Sequence, residues 1–271
     1  MAINLNYAVV SHTGKVRSNN EDNFWCAGDF LPSENQGTDG VISASGTEND
    51  KLMFGVFDGM GGESCGEIAA YLSAQSCGKW YNDYKRFPEK GSKEFWLDLC
   101  NAMNKSVCDY AKDNKIYTMG CTAAMMVFDQ KTAYACNLGD SRIYEWKDGN
   151  LKMLSEDHVF RRRIYGKPPL LQYVGIPEDH MVLEPTTCSM NLTEGSRYLI
   201  CSDGVTDMLS EEEIASLMAE ENDMKTIAER ILDCSLENGG RDNITLILIE
   251  AKEEKRGWFS GLFGRKKGQE R

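Results

Sequence analysis

The chain has 271 residues and a formal net charge of −12, from 42 acidic against 30 basic residues. With 41% hydrophobic and 10% aromatic residues it can build a sizeable core, which excludes a disordered or collagen-like chain. An acidic body repels phosphate backbones, so nucleic acid is not an expected ligand.

In chain order, residues 5–11 form the first predicted strand. Residues 29–50 are polar and rich in Gly, Ser, Asn and Asp, as a loop or exposed hairpin would be. A strand at 52–58 precedes helices at about 64–80 and 93–113, where apolar residues recur at three and four. Strands follow near 121–128, 132–138 and 141–147, the last closed by the turn residues Lys147-Asp148-Gly149-Asn150. Residues 155–190 hold Pro168, Pro169, Pro177 and Pro185 and show no periodicity, which predicts a loop-rich excursion. Beyond a strand at 197–202 come helices near 210–220 and 223–237, the first opened by Ser210 with Glu213 three residues on, a capping-box pattern. Asn238-Gly239-Gly240 turns the chain into a last strand, Ile244 to Glu250. Consecutive strands with short turns argue for antiparallel sheets with helices packed outside, an α+β fold. One domain over residues 1–251 and a tail from 252 to 271 are expected.

That tail carries seven basic and three acidic residues, interleaved with Trp258, Phe259 and Phe263. Such a segment suits weak attachment to an anionic membrane or docking to a partner. No basic leader precedes an apolar run, and no stretch approaches 18 apolar residues, so a cytoplasmic protein is expected. The ten cysteines are scattered without a C-x-x-C pair, which reads as reduced, buried thiols rather than a zinc or disulfide framework.

The informative feature is where the aspartates fall. Asp22, Asp58, Asp140, Asp203 and Asp242 all lie at predicted strand ends or beside them, with Glu21 next to Asp22. In Asp58-Gly-Met-Gly-Gly62 an apolar strand runs into a carboxylate and then glycines, which let a ligand approach the backbone. Each Asp-Gly pair could be a turn and nothing more. Gathered together, however, such carboxylates would repel unless cations held them, and oxygen-only donors suit magnesium or manganese. Neither an EF-hand spacing nor a P-loop string is present.

Seven strings in order resemble the type 2C metal-dependent protein Ser/Thr phosphatases. They are Arg17-Ser-Asn-Asn-Glu21-Asp22, Phe57-Asp58-Gly59-Met60-Gly61-Gly62, Gly120-Cys-Thr122-Ala123, Asn137-Leu-Gly139-Asp140-Ser141-Arg142, Asp157-His158, Cys201-Ser-Asp203-Gly204 and Asp242-Asn243-Ile-Thr245. The Asp-Gly-Met-Gly-Gly form is similar to the bacterial branch.

The resemblance implies a four-layer sandwich of two antiparallel β-sheets flanked by antiparallel helices. It implies two manganese or magnesium ions, with a third in bacterial members. Asp58 would bridge two ions and the Gly59 carbonyl would bind one. Glu21, Asp203 and Asp242 would complete the sites, Asp22 would act from behind them, and Asp140 with Asp203 would hold the third ion. Arg17 would fork onto phosphate oxygens. A hydroxide bridging two ions would attack phosphoserine or phosphothreonine directly. The leaving alkoxide needs a proton; Met60 stands where eukaryotic members have histidine and cannot donate one, so a water on the third ion is expected to do so. His158 reads as structural.

The flap, about 159–185, carries Arg161-Arg162-Arg163 and Lys167, which would attract phosphorylated or acidic segments unless they simply form a solvated basic loop. Partners are then phosphorylated proteins, products of a Ser/Thr kinase, acted on by a monomer. Two alternatives stay open: a catalytically silent member that binds phosphoproteins or regulates a partner, and an acidic metal buffer.

Overall fold

A computed structural model describes residues 3–47, 50, 52–60, 65–83, 92–129, 131–160 and 167–253. The expectations placed on Gly61-Gly62, on Arg161-Arg162-Arg163 and on the tail beyond Glu253 lie outside the described residues.

Two six-membered sets of strands form the centre. One sheet is built from β1 (Ile3–His12), β3 (Ile42–Thr47), β8 (Arg142–Lys147), β9 (Asn150–Met153), β11 (Arg197–Cys201) and β12 (Ile244–Glu253), in the order β3-β1-β12-β11-β8-β9. The other runs β10-β7-β6-β4-β2, from β2 (Asp22–Cys26), β4 (Met53–Met60), β6 (Ala123–Asp129), β7 (Thr132–Leu138) and β10 (Thr186–Asn191). A two-residue strand, β5 (Gly120–Cys121), extends β4 at Gly59 and Met60. The strand pairs are antiparallel, as the short turns between them require.

The apolar strands are continuous rather than alternating because both faces are covered. In β4, Phe54 and Val56 face the opposing sheet while Met53 and Phe57 face α1 (Gly66–Asp83) and α2 (Ser92–Asp113). In β12, Ile247 and Ile249 enter the inter-sheet core, whereas Leu246 and Leu248 meet α4 (Glu211–Met218) and α5 (Met224–Glu237). Three apolar layers thus separate helices, sheet, sheet and helices, and each fully buried large side chain stabilises the fold by about 1.5–3 kcal/mol. The capping box forms: Ser210 Oγ accepts from the Glu213 N–H and the Glu213 carboxylate accepts from the Ser210 N–H.

Three strands escape the sequence pattern, besides β3, which lies in the stretch read as a loop or exposed hairpin and pairs with β1. β2 is short, and its Asn23 breaks the apolar run; buried, that side chain is satisfied by both backbone groups of Leu31, at 3.0 Å each. β9 and β10 are polar edge strands, where one side of the backbone faces solvent and apolar pattern is not demanded. All ten cysteines are free thiols. Among the described residues no helix is long and apolar enough to cross a membrane.

Candidate functional site

The strand ends bring the acidic residues to one place. β2 and β4 pair so that Asp22 stands directly opposite Asp58. Beyond Asp58, Gly59 packs so closely that a Cβ there would lie 2.3 Å from the Gly66 carbonyl and 2.4 Å from that of Glu21. Only glycine permits this contact, and through it the Gly59 N–H donates to the Glu21 carbonyl at 3.1 Å.

The other sheet supplies its own strand ends. β11 stops at Cys201, and a single helical turn, α3 (Asp203–Thr206), places Asp203 at its start. Gly204 approaches the Asn243 carbonyl so closely that a Cβ would sit 1.9 Å from it. Asn243 in turn latches the loop bearing the acidic pair: its Oδ1 accepts from the Glu21 N–H at 2.8 Å, and its Nδ2 donates to the Thr13 and Asn19 carbonyls.

Hydroxyl groups tie the two sheets together at this end. Ser202 Oγ donates to Asp22 Oδ2 at 2.8 Å and accepts from the Thr245 N–H. Thr122 Oγ1 accepts from the Asp58 N–H at 3.0 Å and contacts Ser141 Oγ at 2.6 Å, next to Asp140. These residues belong to the strings quoted above, yet their roles were not legible there. The available signal was a buried Ser or Thr amid apolar strand residues, which must find a partner.

The electrostatics are those of crowded acids. Burial, opposed by hydrogen bonds from Ser202 and Thr245, holds the Asp22 carboxyl up at about 7. Asp58 is pushed well above the ordinary carboxylate range by burial and then by Asp22, with Asp140 and Asp242 adding to it. Burial also raises Asp140, and Glu21 is raised by burial and by Glu67, a residue the sequence reading did not single out. Asp203 is 5% exposed, and its buried Oδ1 has no hydrogen-bond partner.

Cationic side chains of the chain meet this cluster. Arg17 donates from Nη2 to Asp242 Oδ2 at 2.8 Å. Lys167 pairs with Asp203 Oδ2. Among the described residues no three His, Cys, Asp or Glu side chains are arranged as a ready-made metal cage.

Asp157 and His158 lie behind the acids. Arg142 grips Asp157 with three hydrogen bonds of 2.7–3.2 Å. His158 Nδ1 accepts from the Gly139 N–H at 3.1 Å, which leaves the proton on Nε2, 3.0 Å from Thr186 Oγ1. Burial lowers the His158 pKa, so the ring is neutral and engaged on both nitrogens. Met60, at the end of β4, pairs with Gly120.

The profile of the family described as Protein phosphatase 2C matches residues 35–241. The chain is 26% identical over 258 residues to the serine/threonine protein phosphatase PstP of Mycobacterium tuberculosis, covering 91% of this chain but only 45% of that protein. It is 26% identical over 257 residues to the serine/threonine phosphatase stp of Listeria monocytogenes, covering 90% and 95% of the two chains. Among solved structures, that of the M. tuberculosis phosphatase PstP/Ppp superposes with a TM-score of 0.75 at 24% identity, over 93% of this chain and all of that one. A catalytic domain of PstP solved with two manganese ions gives a TM-score of 0.71 at 25% identity, again over 93% of this chain and 100% of that one.

Proposed function

The chain belongs to the protein phosphatase 2C family, and from that premise we propose that it is a protein Ser/Thr phosphatase dependent on manganese or magnesium. The observation that carries this reading is Asp203: a carboxylate 5% exposed, with one oxygen lacking any hydrogen-bond partner, among the further acids Asp22, Asp58 and Asp140. Acids that raise one another's pKa call for a cation, and an all-oxygen donor set fits a hard divalent one.

Asp58, the Gly59 carbonyl, Glu21, Asp203 and Asp242 would hold two ions, with Asp140 and Asp203 available to a third. When bound, such ions lower the pKa of water for direct attack on phosphorus and offset charge on the phosphoryl oxygens. Asp22 orients the site from behind, itself held by Ser202. Arg17 is half-exposed, and the fork it now presents to Asp242 can turn onto a phosphate of matching geometry.

Met60 has no proton to give, and His158 is occupied on both ring nitrogens. The proton for the departing serine or threonine oxygen therefore comes from water. The substrates are phosphorylated proteins, drawn in by the basic residues of the flap.

Hydrolysis of p-nitrophenyl phosphate and of a phosphothreonine peptide, with and without manganese, tests the reading. Activity should require the metal, and Asp58→Ala should reduce it by about 100-fold or more while the protein stays folded. Activity without metal, or an unaffected Asp58→Ala protein, would overturn the assignment.

A further inference from the structure

Among the described residues, Lys167 is the basic side chain seated on Asp203, whose side chain is 6% exposed while that of the lysine remains 50% exposed. Its ammonium also lies 4.0 Å from Asp207 Oδ2. The position has a firm base. Lys167 directly precedes Pro168-Pro169, which restricts its backbone to extended conformations. The Phe160 N–H donates to the Pro169 carbonyl at 3.0 Å and the Leu171 N–H to the His158 carbonyl at 2.7 Å. His158 is itself bonded to Gly139, the neighbour of Asp140. The lysine thus reaches the acids from a strut anchored beside them.

The ammonium holds Oδ2 and leaves Oδ1 without a partner, but an ammonium and a divalent ion on the two oxygens of one buried carboxylate repel each other. We propose that Lys167 is a built-in competitor for the divalent cation at Asp203, neutralising that carboxylate until metal displaces it. The field of the ammonium extends beyond Asp203, since it favours the ionised forms of Asp58, Asp22 and Asp140 as well. Its departure and the arrival of a divalent ion exchange one positive charge for two. The phosphatase would therefore load this position only when free metal is high enough to outcompete its own side chain. The inference rests on Asp203 being a metal ligand.

Calorimetric titration of metal-stripped full-length protein with manganese(II) tests it without recourse to activity. Lys167→Met should bind the Asp203-dependent ion about fivefold more tightly, at the low end of coupling effects because the lysine is half exposed and screened. Lys167→Gln should do the same, and Lys167→Arg should stay near the parent. Lys225→Met removes the same charge from α5, close to Glu250 at the far end of β12, and should change nothing. Equal or weaker binding by both neutral Lys167 variants, or an equal gain in Lys225→Met, would overturn the competitor role. Asp203→Asn separates this failure from the other. Loss of one ion in that variant upholds the ligand assignment whatever Lys167 does, whereas an unchanged ion count refutes the assignment and the inference with it.

Discussion

Asp22 shows how a single residue couples site chemistry to stability. Its folded carboxyl is held up at about 7, above its ordinary value of 3.8, mainly by burial. A folded state that keeps its proton where the unfolded chain has lost it gains stability at low pH. That contribution is complete below the unfolded pKa and is lost as pH rises through the folded one. Metal-free protein should therefore melt at progressively lower temperature between about pH 4 and about pH 7. Asp22→Asn should reduce that dependence, since an amide neither titrates nor needs its charge offset, while Asp58, Asp140 and Glu21, which are also raised, keep part of it; differential scanning calorimetry in chelator checks it. Manganese should raise the melting temperature of the parent more at about pH 8 than at about pH 5, because cations bind the ionised acids. A slope as steep in Asp22→Asn as in the parent would place the titration elsewhere.

At the level of the elements, two substitutions of similar size should have opposite functional consequences. Ser210→Ala removes the cap of α4, whose buried face meets the helix-covered face of the β12 sheet but no acidic cluster. It should cost about 1 kcal/mol in urea unfolding and leave turnover intact. Gly204→Ala puts a methyl group 1.9 Å from the Asn243 carbonyl, in the turn that starts α3. The helix start must then shift, carrying Asp203 away from Asp22 and Asp58. Manganese affinity should fall at least about tenfold even where the melting temperature changes little. These elements also show where pattern reading stops. β4, β6 and β12 announce themselves because both faces are buried, while β9 and β10 need little apolar surface at an edge, and β2 hides behind a buried, fully bonded Asn23.

Across the whole molecule, the acids are divided between the sheets. Asp22 and Asp58 come from one, while Asp203 and Asp242 come from the other. Their separation is thus set by the inter-sheet core, where Tyr7, Phe54, Phe128 and Tyr198 form a run of edge-on ring contacts with centroids 5.0, 5.8 and 5.4 Å apart. Tyr7 and Tyr198 belong to the sheet of β12, and Phe54 and Phe128 to the other. Phe54→Ala should cost about 3–5 kcal/mol and lower the unfolding midpoint in a single transition reported alike by fluorescence and far-ultraviolet circular dichroism. Two separated transitions would show that the sheets are energetically independent.

By itself the sequence determined the apolar strands, the amphipathic helices, the cap at Ser210 and the carboxylates at strand ends, all of which depend on neighbours a few residues away. The order of the motifs was equally legible, and the chain belongs to the family they resemble. Tertiary structure alone decided which groups meet. Ser202 reaches Asp22 across 180 residues, and Asn243 reaches Glu21 across 222. It also placed Lys167 on Asp203, where charge counting along the chain suggested a lysine turned toward substrate. Periodicity reports which face of an element is buried; it is silent on which element lies opposite. Contacts between strand ends depend on sheet order and register, and those are settled only when the three apolar layers pack.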